Sequence, residues 1–364
     1  MENVTVKYIN EKPILCGEVP LNNTTITKYG HIRLFENKDF IKQYFEWGDM
    51  LTIEILGGRY DLPYVITFTD VDCYELEIVD INDFGTFIAM NFADICKHFN
   101  IAYKEVYDDN SYRWVGKQEA ISFRLYLKEK GAYKEKMQNR TVGIYSTKRE
   151  DFPTLDDEEY ANFRVVEKRN FKPGTLYRIA SPIDNLFGRA KYADEILKKY
   201  HIVNCINLAD DASSVNEFET YKDSYYKSMK RLELSMGIDF HNQEFKDKLK
   251  QIIEFIAQNP GKTAVNCIEG KDRTGIVIAL LECLLGYTLE EIEDDYMLSF
   301  YNYYGVLKGD ARYQAIKQNI SIQLKYAFEC DHLYDLKEQA REYFLNKIAC
   351  KVQSLDQAIM NLSK

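Results

Sequence analysis

VNCIEGKDRTGIV, from Val265 to Val277, sets five residues between one cysteine and one arginine just before a helix should begin. Ahead of it, Lys262–Asn266 (KTAVN) follows the turn pair Pro260-Gly261 and reads as a short buried strand. Behind it, TGIVIALLECLLG from Thr274 is apolar nearly all round, as suits a helix inside a domain. Between strand and helix lies a loop containing Gly270, whose missing Cβ lets successive backbone N–H groups converge on one point. A loop of this kind, opening on a helix N-terminus, is a cradle for a dianion such as phosphate. Its donors are the N–H groups from Ile268, Glu269, Gly270, Lys271, Asp272 and Arg273. The planar fork of Arg273 can grip two phosphate oxygens at the rim. The field that attracts phosphate also favours the thiolate of a cysteine at the base, and Cys267 stands there for in-line attack on phosphorus.

Cys and Arg five residues apart, followed by Thr-Gly, resemble the signature loop of the cysteine-dependent protein tyrosine phosphatase superfamily. The GKDRTG form is most similar to the bacterial tyrosine-phosphatase family and the phosphoinositide phosphatases. The likeness extends upstream to ANFRVV (Ala161–Val166) and FKPGTLYRIASP (Phe171–Pro182), and downstream to EEIEDDYMLS (Glu290–Ser299), so that it covers about Tyr160 to Leu324. It implies an α/β fold with a central sheet flanked by helices, a cysteinyl-phosphate intermediate, and no metal or cofactor. It also implies that Arg164 and Arg178 lie close to the cradle. Many members have His before the nucleophile where this chain has Asn266, whose amide would then order the loop.

A length of 364 residues favours two domains, and 46% hydrophobic with 29% charged residues describes a soluble globular protein. The net charge of −10 argues against a general nucleic-acid or anionic-membrane binder. Met1–Gly17 lacks the basic and apolar regions of a signal peptide, and the apolar run Ile276–Leu285 is interrupted by Glu282 and too short to insert stably in a bilayer. Eight scattered cysteines without metal-like spacing point to reduced thiols and a cytoplasmic home. Seven of them, Cys16, Cys73, Cys96, Cys205, Cys283, Cys330 and Cys350, are read as small core hydrophobes; Cys267 differs because glycine, arginine and a helix start surround it.

Residues 1–152 are expected to form a smaller β-rich domain, a barrel or sandwich of unknown role. NVTVKYI, TTITKYGHIRLF, DMLTIEIL, YVITFTD and CYELEIV alternate and are rich in β-branched and aromatic residues, with turn signals between them. Helices are expected over NKDFIKQYFEWGD, NFADICKHF and KQEAISFRLYLKEKG (Lys117–Gly131). KYGHIRLF, a helix, then GDMLTIEI is similar to the C-terminal domain of the adenosyl-methionine hydroxide adenosyltransferases, a likeness from which no activity is carried over. His31 and His98 read as structural, and the aromatic residues Tyr44, Phe45, Trp47, Tyr60 and Tyr64 as core. The boundary is placed at TKREDFPTLDDEEYANF, where charges cluster around Pro153.

Residues 153–364 are expected to be the catalytic domain. Arg164, Lys168, Arg169, Lys172 and Arg178 concentrate positive charge in one span, which reads equally as a solvated run. GRAKYADEILKKYH and then IVNCINL make a helix-strand step, and Phe245, Leu249, Ile252, Ile253 and Ile256 form one face of a helix leading to the catalytic strand. Gly286 is a C-cap, Thr288 with Glu291 a capping box, and helices are expected from Asp310 to Lys364.

A leaving oxygen needs a proton. By its position ahead of that helix, where dual-specificity phosphatases carry their acid, Asp239 is the first candidate; Asp210 and Asp211 come next, and Asp272 either serves as acid or orders the loop. Thr274 would stabilise the departing thiolate. The chemistry is hydrolysis of a phosphomonoester. Its substrate is expected to be a phosphorylated protein, through a tyrosine or dual-specificity phosphatase; the alternative is a phosphoinositide or inositol phosphate, favoured by Lys271 and Asn266. A third reading is a phosphate-binding module without turnover.

Overall fold

A computed structural model describes residues 4–81, 84–107, 112–140, 146–166 and 174–363. The chain divides into two compact units, Met1–Thr141 and Val142–Lys364, earlier than the charged run around Pro153.

In the first unit eight strands form one sheet, in the order Val4–Ile9, Lys12–Pro20, Ala120–Glu129, Met50–Ile55, Gly58–Val65, Leu76–Ile81, Gly85–Met90 and Ile32–Phe35. All neighbours are antiparallel except Gly58–Val65 and Leu76–Ile81. A hairpin of Ala102–Val106 with Tyr112–Gly116 stands apart. Alternating side chains such as Leu15, Ile53, Leu62, Ile78, Ile88 and Leu125 enter one apolar cluster, and Val65, Val79, Phe87 and Ala89 enter a second.

The helix expected over Lys117–Gly131 is instead the strand Ala120–Glu129, hydrogen-bonded on both edges. Ile121, Phe123 and Leu125 alternate there at a period of two, and pairing with two strands overrides the helix-forming Lys, Glu and Leu. The other two expected helices are single turns, Lys38–Ile41 and Ile95–His98.

In the second unit five strands, β1 (Arg164–Val165), β2 (Leu176–Ile179), β3 (Asn204–Asn207), β4 (Lys230–Glu233) and β5 (Thr263–Asn266), pair in the order β1-β2-β5-β3-β4. The last four are mutually parallel. Helix α1 spans Asp157–Tyr160, α2 Ala190–Lys199, α3 Gln243–Gln258, α4 Asp272–Leu285, α5 Leu289–Tyr304, α6 Ala311–Phe328, α7 Leu336–Glu342 and α8 Val352–Ser363. Helix α3 buries Phe245, Leu249, Ile252, Ile253 and Ile256, the stripe its sequence displays. Helix α4 is buried at every residue from Thr274 to Leu285 and ends on Gly286 in the left-handed conformation. Thr288 and Glu291 form the reciprocal capping box of α5.

Parallel pairing puts the C-terminal ends of β2, β3 and β5 at one edge of the sheet, where loops that follow parallel strands commonly gather their chemistry. No helix among the described residues is long and apolar enough to cross a membrane.

Candidate active site

Strand β5 lies between β2 and β3, and its last residue opens on Cys267, which is only 3% exposed. The five residues after the sulfur turn into α4, with Gly270 at φ +66°. A Cβ there would run into the Ile179 carbonyl at the end of β2, so both the backbone angle and the close approach require glycine.

The loop is held from behind through its carbonyls. Ile268 O accepts the Ser181 N–H at 2.9 Å. Glu269 O and Gly270 O accept Asn162 Nδ2 at 3.0 and 3.1 Å, and Arg178 Nη2 donates to Gly270 O at 2.8 Å and Lys271 O at 3.3 Å. In a trans peptide the C=O and the following N–H point opposite ways. Carbonyls drawn backward at 268, 269, 270 and 271 therefore turn the N–H groups of Glu269, Gly270, Lys271 and Asp272 to the other side, the arrangement an anion needs.

Those clamps rest on α5. Asp295 accepts Arg164 Nε at 2.6 Å and an Arg178 Nη1 bond, and Ser299 Oγ meets Asn162, Arg164 and Arg178 at 3.1, 3.0 and 3.1 Å. Asn302 Nδ2 and Arg164 Nη1 both donate to Asn162 Oδ1. Burial, with the Arg178 charge second, holds the Arg164 guanidinium down at about 10. Arg178 is fully buried and grips the back of the loop directly, whereas Arg164 acts on it through Asn162. Lys168, Arg169 and Lys172 of the basic run lie outside the described residues.

Around the loop, Asn266 is fully buried; its Nδ2 donates to Cys267 O at 3.4 Å and its Oδ1 accepts the Cys205 thiol. Arg273 Nη1 donates to Leu208 O at 3.2 Å, just past β3. The Thr274 hydroxyl is buried on the first turn of α4 with no hydrogen-bond partner among the described residues. Tyr303, on α5, is raised well above the ordinary tyrosine value, by burial first, against the Arg189 charge and with those of Glu269 and Cys267 adding, so its phenol shares the field of the nucleophile.

The aspartates separate by environment. Asp239 accepts the His241 N–H at 3.1 Å just before α3. Asp210 is 7% exposed and accepts Asn207 Nδ2. Asp211 binds Ser213 and Ser214, and although burial pushes its carboxyl up, those bonds leave it below the ordinary range. Asp272, at the first position of α4, has one oxygen without a partner and the other 3.6 Å from Lys271 Nζ. Burial first, then the Glu269 charge, raises its carboxyl against the pull of Lys271 and Arg273.

Asp295, Ser299 and Asn162 carry no assigned role in the sequence reading, although each lies in a stretch that resembles the family. The readable signal was Asp295 and Ser299 at i, i+4, which puts both on one face of α5.

Three solved structures match part of this chain at low similarity. One is an uncharacterized conserved protein from Thermotoga maritima, 17% identical, covering 34% of this chain and 40% of its own length, with a TM-score of 0.25. The second is the core catalytic domain of the PP-IP phosphatase Siw14 from S. cerevisiae in complex with citrate, at 19% identity, 43% and 88% coverage and a TM-score of 0.25. The third is the Siw14 catalytic core, at 18%, 51% and 96%, with a TM-score of 0.27. At these values none of them indicates what this chain acts on. The model of the tyrosine phosphatase family matches residues 159–359, more than half of the chain, and with it the loop and its clamps; this protein belongs to the tyrosine phosphatase family and is a cysteine-dependent phosphatase.

Proposed function

We propose that the substrate is a phosphotyrosine-bearing protein or peptide, hydrolysed in two steps. Cys267 Sγ attacks phosphorus as the bond to the leaving oxygen breaks, and a carboxylic acid gives that oxygen its proton. Water then attacks the cysteinyl-phosphate, the same carboxylate takes a proton from it, and the S–P bond breaks to return the thiolate. Arg273, tethered by Leu208 O, and the turned N–H groups hold the equatorial oxygens. The Thr274 hydroxyl donates to the returning thiolate. Asp272 is taken as the acid: it stands in the loop itself, one of its oxygens has no partner among the described residues, and burial first raises its carboxyl above the ordinary range.

The observation that carries the choice of substrate is the state of Lys271. Its ammonium lies 3.1 Å from the Glu269 carboxylate, so its charge is already matched inside the protein. An inositol polyphosphate needs that cation for a neighbouring phosphate; a substrate with a single phosphate, such as phosphotyrosine, needs only Arg273 and the amides. The depth of the nucleophile agrees, since a 3% exposed sulfur is better reached by phosphate on a long aromatic stem than by phosphoserine.

The test is kcat/KM of the full chain against a phosphotyrosine peptide, a phosphoserine peptide, a phosphoinositide and inositol hexakisphosphate. A preference for the phosphotyrosine peptide of about tenfold or more is expected. Preference for either inositol compound overturns the substrate class and leaves the nucleophile untouched.

A further inference from the structure

The second residue after the nucleophile is an acid, Glu269, in a loop built to receive anions. A carboxylate there works against phosphate unless something holds it, and two groups do. Tyr304 Oη donates to Glu269 Oε2 at 2.8 Å, and Lys271 Nζ lies 3.1 Å from the same oxygen while donating to Tyr304 Oη at 2.8 Å. The three side chains close a ring. Lys271 is nearly enclosed, with 6% of its side chain exposed and its ammonium over the rings of Phe300 and Tyr304 at 5.1 and 4.6 Å. A buried ammonium requires an anion beside it. Against the cost of burial, the charges of Asp272 and Glu269 keep Lys271 well above its ordinary value; burial first and Glu269 second raise Tyr304, which keeps its proton to donate.

We propose that Glu269 determines specificity: its carboxylate takes the place beside Lys271 that a second substrate phosphate would fill, and so excludes substrates with phosphates on adjacent carbons. This rests on the phosphotyrosine reading above, for which it supplies the residue responsible. The cation is occupied, so a second dianion arriving at the same point finds its positive charge already taken. Glu269 acts through Lys271 and not on the reacting phosphoryl group, so its signature belongs in the comparison of substrates.

The experiment measures kcat and KM for inositol hexakisphosphate and for a phosphotyrosine peptide in the full chain, in Glu269→Gln, and in Glu269→Gln with Lys271→Met. The glutamine keeps the shape and can still accept from Tyr304. The ratio of kcat/KM, hexakisphosphate over peptide, should rise about tenfold in Glu269→Gln, mainly through KM, and the gain should vanish when Lys271 is also replaced. Tyr304→Phe leaves both charges and removes only the bridging hydroxyl, so it should shift the ratio the same way by a smaller factor, and it tests the idea even if Glu269→Gln folds poorly. A ratio that stays put in both single variants, or a gain that survives Lys271→Met, overturns the proposal. If the unaltered protein already prefers hexakisphosphate and Glu269→Gln raises that preference further, the phosphotyrosine reading falls and the role of Glu269 stands. If it prefers the peptide and the ratio does not move, the reverse holds.

Discussion

Asp295 in the catalytic unit and Glu77 in the β-rich unit are both carboxylic acids taken out of water, with opposite outcomes. Burial pushes Asp295 up, yet Arg164 and Arg178, bonded to its two oxygens, hold it below the ordinary carboxylate range. Glu77 is fully buried with neither oxygen partnered among the described residues, and burial, then Asp70 and Glu75, raise it well above its ordinary value. The first is ionised at neutral pH and organises two arginines; the second keeps its proton and organises nothing visible. Buried charge is costly wherever it occurs. In the catalytic unit that cost goes into fixing three carbonyls of one loop, those of Glu269, Gly270 and Lys271, and with them the direction of the N–H groups that face the substrate.

The contrast matters only if the loop performs the chemistry, which Cys267→Ser tests with the largest effect. Turnover of p-nitrophenyl phosphate in the presence of chelator should fall by roughly 10⁴-fold or more, while vanadate still binds in a titration. Residual activity near the starting level would detach the network from catalysis altogether. Next in size is Asp295→Asn. It leaves two buried guanidinium groups without their anion, so a stability loss of about 3–5 kcal/mol in denaturant unfolding is expected. A shift of the loop amides by even an ångström should cost about 10²-fold in kcat/KM. The sign with pH follows from the lowered carboxyl: this contribution is present above the unfolded value of 3.8 and is lost as pH falls through the lower folded one. Full activity in a stable Asp295→Asn protein would mean that the clamps are ornamental.

On the substrate side of the loop, Asp272→Asn should slow an alkyl phosphate by about 10²-fold and p-nitrophenyl phosphate much less, since p-nitrophenolate leaves without help. The acid must be protonated, so the limb of kcat that falls at high pH should disappear in the variant. Equal losses on both substrates would move the role to Asp239.

The loop, the stripe on α3 and the Thr288–Glu291 box were legible because each is written in residues a few positions apart. Beyond the nearness of Arg164 and Arg178 that the resemblance implies, the clamps were not: Arg164 meets Asp295, and Asn162 meets Glu269 and Gly270, across more than a hundred residues of chain. Nothing local distinguishes such an arginine from a solvated one. Ala120–Glu129 misled for a related reason. Its helix-forming residues are a local signal, whereas the two strands that claim it, Lys12–Pro20 and Met50–Ile55, lie far off in sequence. Lys271 was visible as a cation, but the groups that hold it are the carboxylate of Glu269 in the loop and a tyrosine hydroxyl a helix away.

Glu77→Met gives the smallest effect and the sharpest contrast with Asp295. The unfolded chain releases the Glu77 proton near 4.5 while the folded one keeps it, so the unfolded state binds fewer protons and stability falls as pH rises from there toward the raised folded value. Methionine fills similar space with no titrating group and no unpaired oxygen. Stability at pH 7 should therefore rise by about 1–3 kcal/mol, with the gain growing between pH 4 and 7, and the phosphatase rate should not change. Urea unfolding of both proteins at the two ends of that range measures it. A loss of stability would mean that the Glu77 carboxyl satisfies a partner after all, and that both units hold their buried acids for a purpose.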